Sequence, residues 1–301
     1  MNDKAHSDNQ PGRLLLTDDE VQFFDAFGFV VLRQHFTADE MATINAELSH
    51  AIDLTFKDSP FDETVASSES LQKVDLSKSN TPFTSFLPEG PHFYGIAKQL
   101  FGEEAIGHES SAVPFVGDTR WHCDRSGPDI QISRFGCKFC VYPESLDGDS
   151  GALRVIPGSH HPPFFDALRN VPGISADKNI RNFPGHVCRT DPGDVVLFNL
   201  NCWHASCGGR PGRLLLDVVY YAYPKTPQHE KEMRFSYTRN RQMSIENALS
   251  RNEEPPTPTP EEYLSRGYSP LMTAWMVDRP REFGFFDFDR EAYIEEYLAR
   301  Q

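Results

Sequence analysis

Three residues of this sequence have the types and the spacing that metal binding requires. His122 and Asp124 are separated by one residue, and on an extended backbone such residues project to the same side. His204 follows the apolar run 195–200, which predicts a buried strand with the imidazole near its end. Two histidines and one carboxylate form the facial triad associated with non-haem Fe(II), which leaves coordination positions for a co-substrate and oxygen. Taken alone, the short His122–Asp124 spacing has an alternative interpretation, an ion pair at the surface.

The elements that must position these residues are predicted between about 105 and 225. In this region short apolar runs alternate with Gly, Pro and Asp clusters, which is typical of antiparallel strands. Two runs, 131–142 and 213–221, each have one apolar face and one face that mixes apolar with polar side chains. If the apolar faces pack on helices, the mixed faces line a cavity. We therefore predict a mainly β fold with flanking helices, a barrel or jelly roll.

Three polar side chains on the mixed faces can bind a ligand in this cavity. Lys138 and Tyr142 share one face of the first run, and Arg213 lies on the mixed face of the second run. For Lys138 the alternative is that its stem follows apolar surface and its ammonium group reaches solvent at the mouth of the barrel.

The chain outside this region divides by composition. Residues 1–14 are polar and aperiodic and are predicted to form a disordered tail. Residues 15–105 are predicted to be mainly helical, and residues 226–301 a C-terminal extension and candidate lid that ends in a helix over 290–299. The Pro-rich segment 251–260 is predicted to be an extended connector within the C-terminal part. No internal repeat of fixed period is found, and we predict a single domain over 15–301.

Charge and composition exclude several classes of partner. With 29 basic and 44 acidic side chains the net charge is 29 − 44 = −15, so nucleic acid is not expected as a partner. The sequence shows no export signal and no apolar stretch of bilayer length, so no membrane association is expected. The six scattered cysteines do not resemble a disulfide scaffold, and we predict a cytoplasmic protein.

The order of several motifs along the chain resembles a known enzyme family. The motifs are Trp121–Asp124, the segment 151–160, Gly193-Asp194 with Phe198, His204-Ala205-Ser206 followed by an arginine, and the opening segments 16–20 and 28–31. Together they cover about residues 15 to 225. In this order they are similar to the phytanoyl-CoA dioxygenase family of Fe(II)/2-oxoglutarate oxygenases, which implies a double-stranded β-helix, the cupin-like jelly roll.

The resemblance implies roles for individual residues. His122, Asp124 and His204 are expected to bind Fe(II), and Arg213 to bind the distal carboxylate of 2-oxoglutarate with help from Ser206. A guanidinium group suits this task, because it offers a planar fork to a carboxylate and keeps its charge inside a cavity.

Other residues are assigned less directly. The family's arginine usually lies about two residues further along, so Arg210 is an alternative to Arg213. Lys138 and Tyr142 are candidates to hydrogen-bond the co-substrate, and Arg125 and Arg134, which flank the metal motif, are candidates to orient a substrate.

The expected function is oxygenation that depends on Fe(II), 2-oxoglutarate and O2. The substrate implied is a small metabolite or natural-product intermediate, and hydroxylation of an unactivated C–H bond is the preferred outcome. Desaturation, epimerisation or cyclisation uses the same metal ligands and remains an alternative. A non-catalytic cupin-like binding module, or a cupin hydrolase or isomerase with another divalent metal, is the alternative from a different class.

Overall fold

The computed structural model describes residues 12–67, 71–74, 76, 80–124, 134–175, 180–250 and 253–300. Contacts group them into two compact units: the described residues up to 222 form the first, and those from 223 onward form the second. The predicted change of character near 225 lies beside this boundary, while the assignment of 15–301 to one domain stays a prediction.

The first unit contains two antiparallel sheets. The larger sheet has the order β1-β8-β5-β10-β2, with β3 also paired to β10, and the smaller sheet has the order β4-β9-β6-β7. Its strands are β1 (Phe29–Leu32), β2 (Ile106–Gly107), β3 (Ser111–Phe115), β4 (Thr119–His122), β5 (Gly136–Val141), β6 (Leu153–Val155), β7 (His186–Val187), β8 (Val195–Asn199), β9 (His204–Ser206) and β10 (Arg213–Tyr221). This architecture confirms the predicted jelly roll with flanking helices.

Most helices of the first unit precede β2 in the chain. The helices are α1 (Asp18–Phe27), α2 (Ala38–Thr55), α3 (Pro82–Phe86), α4 (Pro91–Phe101) and, between β6 and β7, α5 (Phe164–Arg169). Helices α1 and α2 each begin with a capping box, in which a threonine side chain and a glutamate three residues later exchange hydrogen bonds with the backbone. Gly28, in the left-handed conformation at φ 80°, ends α1.

The two faces of the larger sheet have different environments. On the outer face, Phe139 of β5 stacks on Phe93 of α4, with ring centroids 4.5 Å apart. The inner face meets the smaller sheet in an apolar core to which β1, β5, β6 and β8 all contribute. Lys138 and Asp217 point to the inner side and remain partly accessible. Alternation along each strand explains this arrangement, because successive side chains point to opposite faces.

The second unit is helical. Its elements are α6 (Pro227–Ser250), α7 (Pro260–Ser265), α8 (Pro270–Thr273), a π-helical turn (Ala274–Asp278), α9 (Arg279–Glu282) and α10 (Arg290–Leu298). The terminal helix matches the predicted span, whereas α6 is not evident from the sequence. Its buried positions recur every four residues but include His229 and Arg241 beside Met233 and Tyr237, so no apolar stripe marks the helix. Among the described helices, none is both long and apolar enough to cross a membrane.

Candidate metal centre

His122, Asp124 and His204 converge on one point in the first unit. One ligand atom from each of the three lies within 4.8 Å of the other two. The Oδ1 atom of Asp124 is 3.5 Å from Nε2 of His122 and 3.4 Å from Nε2 of His204. His122 ends β4, Asp124 follows two residues later, and His204 begins β9, which pairs with β4. The tertiary fold thus brings together three donors that are up to 82 positions apart.

Both imidazoles are held in the tautomer that suits metal binding. Nδ1 of His122 is 2.8 Å from the carbonyl oxygen of Arg120, and Nδ1 of His204 is 3.0 Å from that of Cys202. A carbonyl oxygen only accepts, so each Nδ1 carries the proton and donates it. Each Nε2 then presents its lone pair toward the point that the Asp124 carboxylate also faces. Metal-binding histidines commonly use their other ring nitrogen in this way, and the donor set therefore fits a divalent metal ion.

The position of His122 depends on anchoring of β4. Trp121, its neighbour, is fully buried, and its indole N–H donates to the carbonyl oxygen of Ile180 at 2.9 Å. Because side chains alternate along a strand, burial of Trp121 on one side directs His122 to the other. His204 lies against the ring of Phe198, with centroids 4.6 Å apart.

Charge at the centre is balanced by Lys138. Its Nζ lies 2.7 Å from Oδ2 of Asp124 and 3.4 Å from Oδ2 of Asp217. Burial by itself raises the pKa of Asp124, but the charge of Lys138 and the contact with His204 outweigh it and hold that pKa well below its usual range. Burial also lowers the pKa of His204, which keeps this imidazole neutral at neutral pH.

Arg213 occupies a separate buried niche at the start of β10. Its guanidinium donates to the carbonyl oxygen of Gly151 at 2.6 Å and to Oγ of Ser206 at 3.2 Å, and it lies 5.1 Å from the centre of the Phe115 ring. Arg213 is 3% exposed, and its Nε has no hydrogen-bond partner among the described residues. This niche holds a cation with an unused donor, which suits an anionic ligand.

Glycine is required beside this guanidinium. Gly151 has φ +95°, and a Cβ there would lie 2.7 Å from Nε of Arg213. A Cβ on Gly209 would lie 2.6 Å from the same atom. Arg210, the alternative anion binder, instead forms an ion pair with Glu144 at 3.0 Å, with 64% of its side chain exposed. The structure therefore places Arg213, and not Arg210, in an enclosed niche.

The other predicted site residues have varied surroundings. Tyr142 is buried in the core between the sheets, and burial raises the pKa of its hydroxyl group. Arg134 binds Asp25 of α1, Nε to Oδ1 at 2.8 Å, and the carbonyl oxygen of Leu100. These contacts give Arg134 a structural partner that the sequence does not suggest, and its substrate role stays a prediction. Arg125 lies outside the described residues.

Sequence reasoning did not single out two residues near the centre. Asp217 binds Lys138, and Ser111 of β3 donates a hydrogen bond to Oδ1 of Asp217. Asp217 is the one acidic residue in the run 213–221, and it lies on the same face as Arg213. A carboxylate on a face that is predicted to line the cavity was thus the feature of the sequence from which Asp217 could have been identified.

The chain is similar to known proteins in sequence and in fold. A sequence model of the family described as phytanoyl-CoA dioxygenase matches residues 24–210. No curated protein sequence matches the chain. Several solved structures share its fold. HygX from Streptomyces hygroscopicus, with nickel and 2-oxoglutarate bound, is 18% identical over 68% of this chain and 87% of its own, with a TM-score of 0.55.

Two further structures have similar coverage. SnoK, an alpha-ketoglutarate-dependent carbocyclase from nogalamycin biosynthesis, is 18% identical over 70% of this chain and 87% of its own, with a TM-score of 0.52. EctD from S. alaskensis, with 2-oxoglutarate and 5-hydroxyectoine, is 21% identical over 69% of this chain and 76% of its own, with a TM-score of 0.50. At these identities the likeness concerns the fold.

Proposed function

This chain belongs to the phytanoyl-CoA dioxygenase family, and on that basis we propose that it is an Fe(II)- and 2-oxoglutarate-dependent oxygenase that hydroxylates a small molecule. One observation carries the proposal. Two imidazole Nε2 atoms and one carboxylate oxygen converge within 4.8 Å, and both imidazoles are fixed by Nδ1–H bonds to backbone carbonyls.

The residues have separate tasks in this proposal. His122, Asp124 and His204 would hold Fe(II), which would supply the chemistry that couples the decarboxylation of 2-oxoglutarate by O2, giving succinate and CO2, to oxidation of the substrate. The guanidinium of Arg213 binds the distal carboxylate of 2-oxoglutarate, and Ser206 orients the guanidinium. Phe115 and the backbone at Gly151 exclude water from this ion pair, which strengthens it.

Fold neighbours support the choice of co-substrate. HygX is described with 2-oxoglutarate and nickel, and EctD with 2-oxoglutarate and 5-hydroxyectoine. A divalent metal and a keto acid are thus held by proteins of this fold. The second ligand of EctD, 5-hydroxyectoine, is by its name a hydroxylated compound, which favours hydroxylation as the outcome.

Ring formation is a second candidate outcome, because one protein of this fold catalyses it. SnoK is described as a carbocyclase, so a protein of this fold forms a ring instead of adding a hydroxyl group. Hydroxylation and ring formation both begin with removal of hydrogen from carbon, and they differ in how the substrate is placed. Product analysis by mass spectrometry separates them: hydroxylation adds one oxygen atom, and cyclisation removes two hydrogen atoms.

Co-substrate binding tests the proposal directly. Anaerobic protein is mixed with Fe(II) and 2-oxoglutarate, and the weak visible charge-transfer band of the chelate is recorded. We expect the band in the wild type and in Asp53→Ala, which removes an exposed carboxylate of α2, and its loss in Asp124→Ala. If the wild type shows no band although iron is bound, the proposal is wrong and the binding-module alternative is favoured. Succinate formation across a metabolite panel then identifies the substrate class.

A further inference from the structure

The two oxygens of the Asp124 carboxylate have different partners. Oδ1 faces the two imidazoles, at 3.5 Å from Nε2 of His122 and 3.4 Å from Nε2 of His204. Oδ2 lies 2.7 Å from Nζ of Lys138. One oxygen is therefore directed to the metal position, and the other is held by an ammonium group.

Lys138 is itself held from the opposite side. Its Nζ lies 3.4 Å from Oδ2 of Asp217, and the other oxygen of Asp217 accepts a hydrogen bond from Oγ of Ser111. The chain Asp124–Lys138–Asp217–Ser111 runs from the end of β4 in the smaller sheet to β5, β10 and β3 in the larger sheet. The larger sheet thereby fixes the orientation of a carboxylate that follows a strand of the smaller one.

Burial makes this chain effective. The side chains of Lys138, Asp124 and Asp217 are 20%, 19% and 15% exposed. At such positions ion pairs are less screened than at the surface, and an unpaired charge is costly. Loss of the ammonium group would leave two carboxylates facing each other, and Asp124 would be free to turn.

We propose that Lys138 and Asp217 are positioning residues that restrict Asp124 to binding the metal through Oδ1 alone. This inference rests on the proposed function. A carboxylate can bind a metal through one oxygen or two, and a six-coordinate ion with three protein donors keeps three positions. Binding by both oxygens would occupy one of them, 2-oxoglutarate would take the remaining two, and no position would be left for O2. The inference differs from the sequence-based expectation that Lys138 binds the co-substrate.

Substitution of cobalt for iron gives a readout that does not depend on turnover. The visible d–d spectrum of Co(II) reports its coordination number and geometry, and 2-oxoglutarate is then titrated into the same sample. We expect Lys138→Met to bind Co(II) with a changed spectrum before 2-oxoglutarate is added, whereas the two positions that 2-oxoglutarate needs stay available.

Two further variants keep the test informative if Lys138→Met does not fold. Asp217→Asn retains the volume of the side chain but removes its charge, and Ser111→Ala removes the hydrogen bond behind it. Both should change the Co(II) spectrum in the same direction and to a smaller extent. Lys98→Met is the matched control. Lys98 lies on α4 and pairs with the exposed Glu103 in the loop that follows this helix, so the variant should give the wild-type spectrum.

The outcomes are separable. A Co(II) spectrum that is unchanged in all three variants overturns the inference. If Lys138→Met weakens 2-oxoglutarate binding without a prior change in the spectrum, the inference is also wrong, and Lys138 contacts the co-substrate directly. If the wild type binds neither Co(II) nor 2-oxoglutarate, the proposed function itself is wrong. If the wild type binds both and the variants have the same spectrum as the wild type, only the inference about Lys138 and Asp217 is wrong.

Discussion

His122 and His204 are direct cross-strand partners in β4 and β9, and their ring centroids lie 4.2 Å apart. A register shift makes them partners: Thr119 pairs with Ser206, and in a regular ladder Trp121 would then face His204. The irregularity adds one residue to β4, which brings His122 opposite His204. Since side chains alternate along a strand, this one-residue shift decides whether an imidazole or an indole ring faces the centre.

Loss of His204 should remove the metal site without unfolding the protein. His204→Gln removes one of the two Nε2 donors, and we expect affinity for Co(II) or Fe(II) to fall about 100-fold or more. Titration calorimetry measures it. His50→Gln changes an exposed histidine of α2 and should bind as the wild type does. Equal affinities in the two variants would contradict the assignment of His204 as a ligand.

Loss of Arg213 should weaken the co-substrate and not the metal. Arg213→Met removes the buried guanidinium, and a lost pair of charge-assisted hydrogen bonds is worth about 3 kcal/mol, or about a hundredfold in the Kd of 2-oxoglutarate. Metal affinity should stay unchanged. Arg210→Met removes the exposed arginine that pairs with Glu144. If Arg210→Met causes the larger loss, the co-substrate binds at Arg210 instead.

A methyl group at Gly151 should displace Arg213. Gly151 has φ +95°, and in this conformation any residue with a Cβ is unfavourable by about 1–2 kcal/mol. The Cβ would also lie 2.7 Å from Nε of Arg213. Gly173, at φ +81°, has no heavy atom of the described residues within 4 Å of its Cβ position. Gly151→Ala should therefore lose more stability than Gly173→Ala, as well as 2-oxoglutarate affinity. Urea unfolding and ligand titration check this, and equal effects would argue against the clash.

Stability should fall as the pH drops below 6.5. Burial lowers the pKa of His35 to about 4, and its Nε2–H donates to the carbonyl oxygen of His92 at 2.9 Å. Between pH 6.5, the ordinary pKa of histidine, and about pH 4, the unfolded chain binds a proton at His35 that the native protein does not. The free energy of unfolding therefore decreases with falling pH by up to about 1.4 kcal/mol per pH unit. Burial likewise lowers the pKa of His108 and of His160 to about 4, which adds to this slope.

Urea unfolding at about pH 7, 6 and 5 measures this dependence. His35→Gln should flatten it by about one proton, whatever its effect on stability at neutral pH. His50→Gln, at an exposed position, should keep the wild-type slope. Identical slopes in both variants would show that His35 does not titrate as the structure implies.

Local patterns in the sequence determined much of the fold. Strand β10 covers the predicted run 213–221, and α10 lies within the predicted helix 290–299. Helices α1 and α2, in the region predicted to be mainly helical, begin with capping boxes at Thr17 and Thr37. These features depend on residues a few positions apart, so periodicity and spacing suffice to identify them. The jelly roll and the family follow from the order of several such patterns.

Only the tertiary structure decided how the site is assembled. Local spacing does not reveal the register shift in β4 that sets His122 opposite His204. It also does not reveal two contacts between distant residues, Ser111–Asp217 over 106 positions and Arg134–Asp25 over 109 positions. Side-chain alternation assigns a residue to a face, but it does not say which residue of another strand lies opposite. Strand register and sheet packing make that choice, because they depend on contacts distributed over the whole first unit.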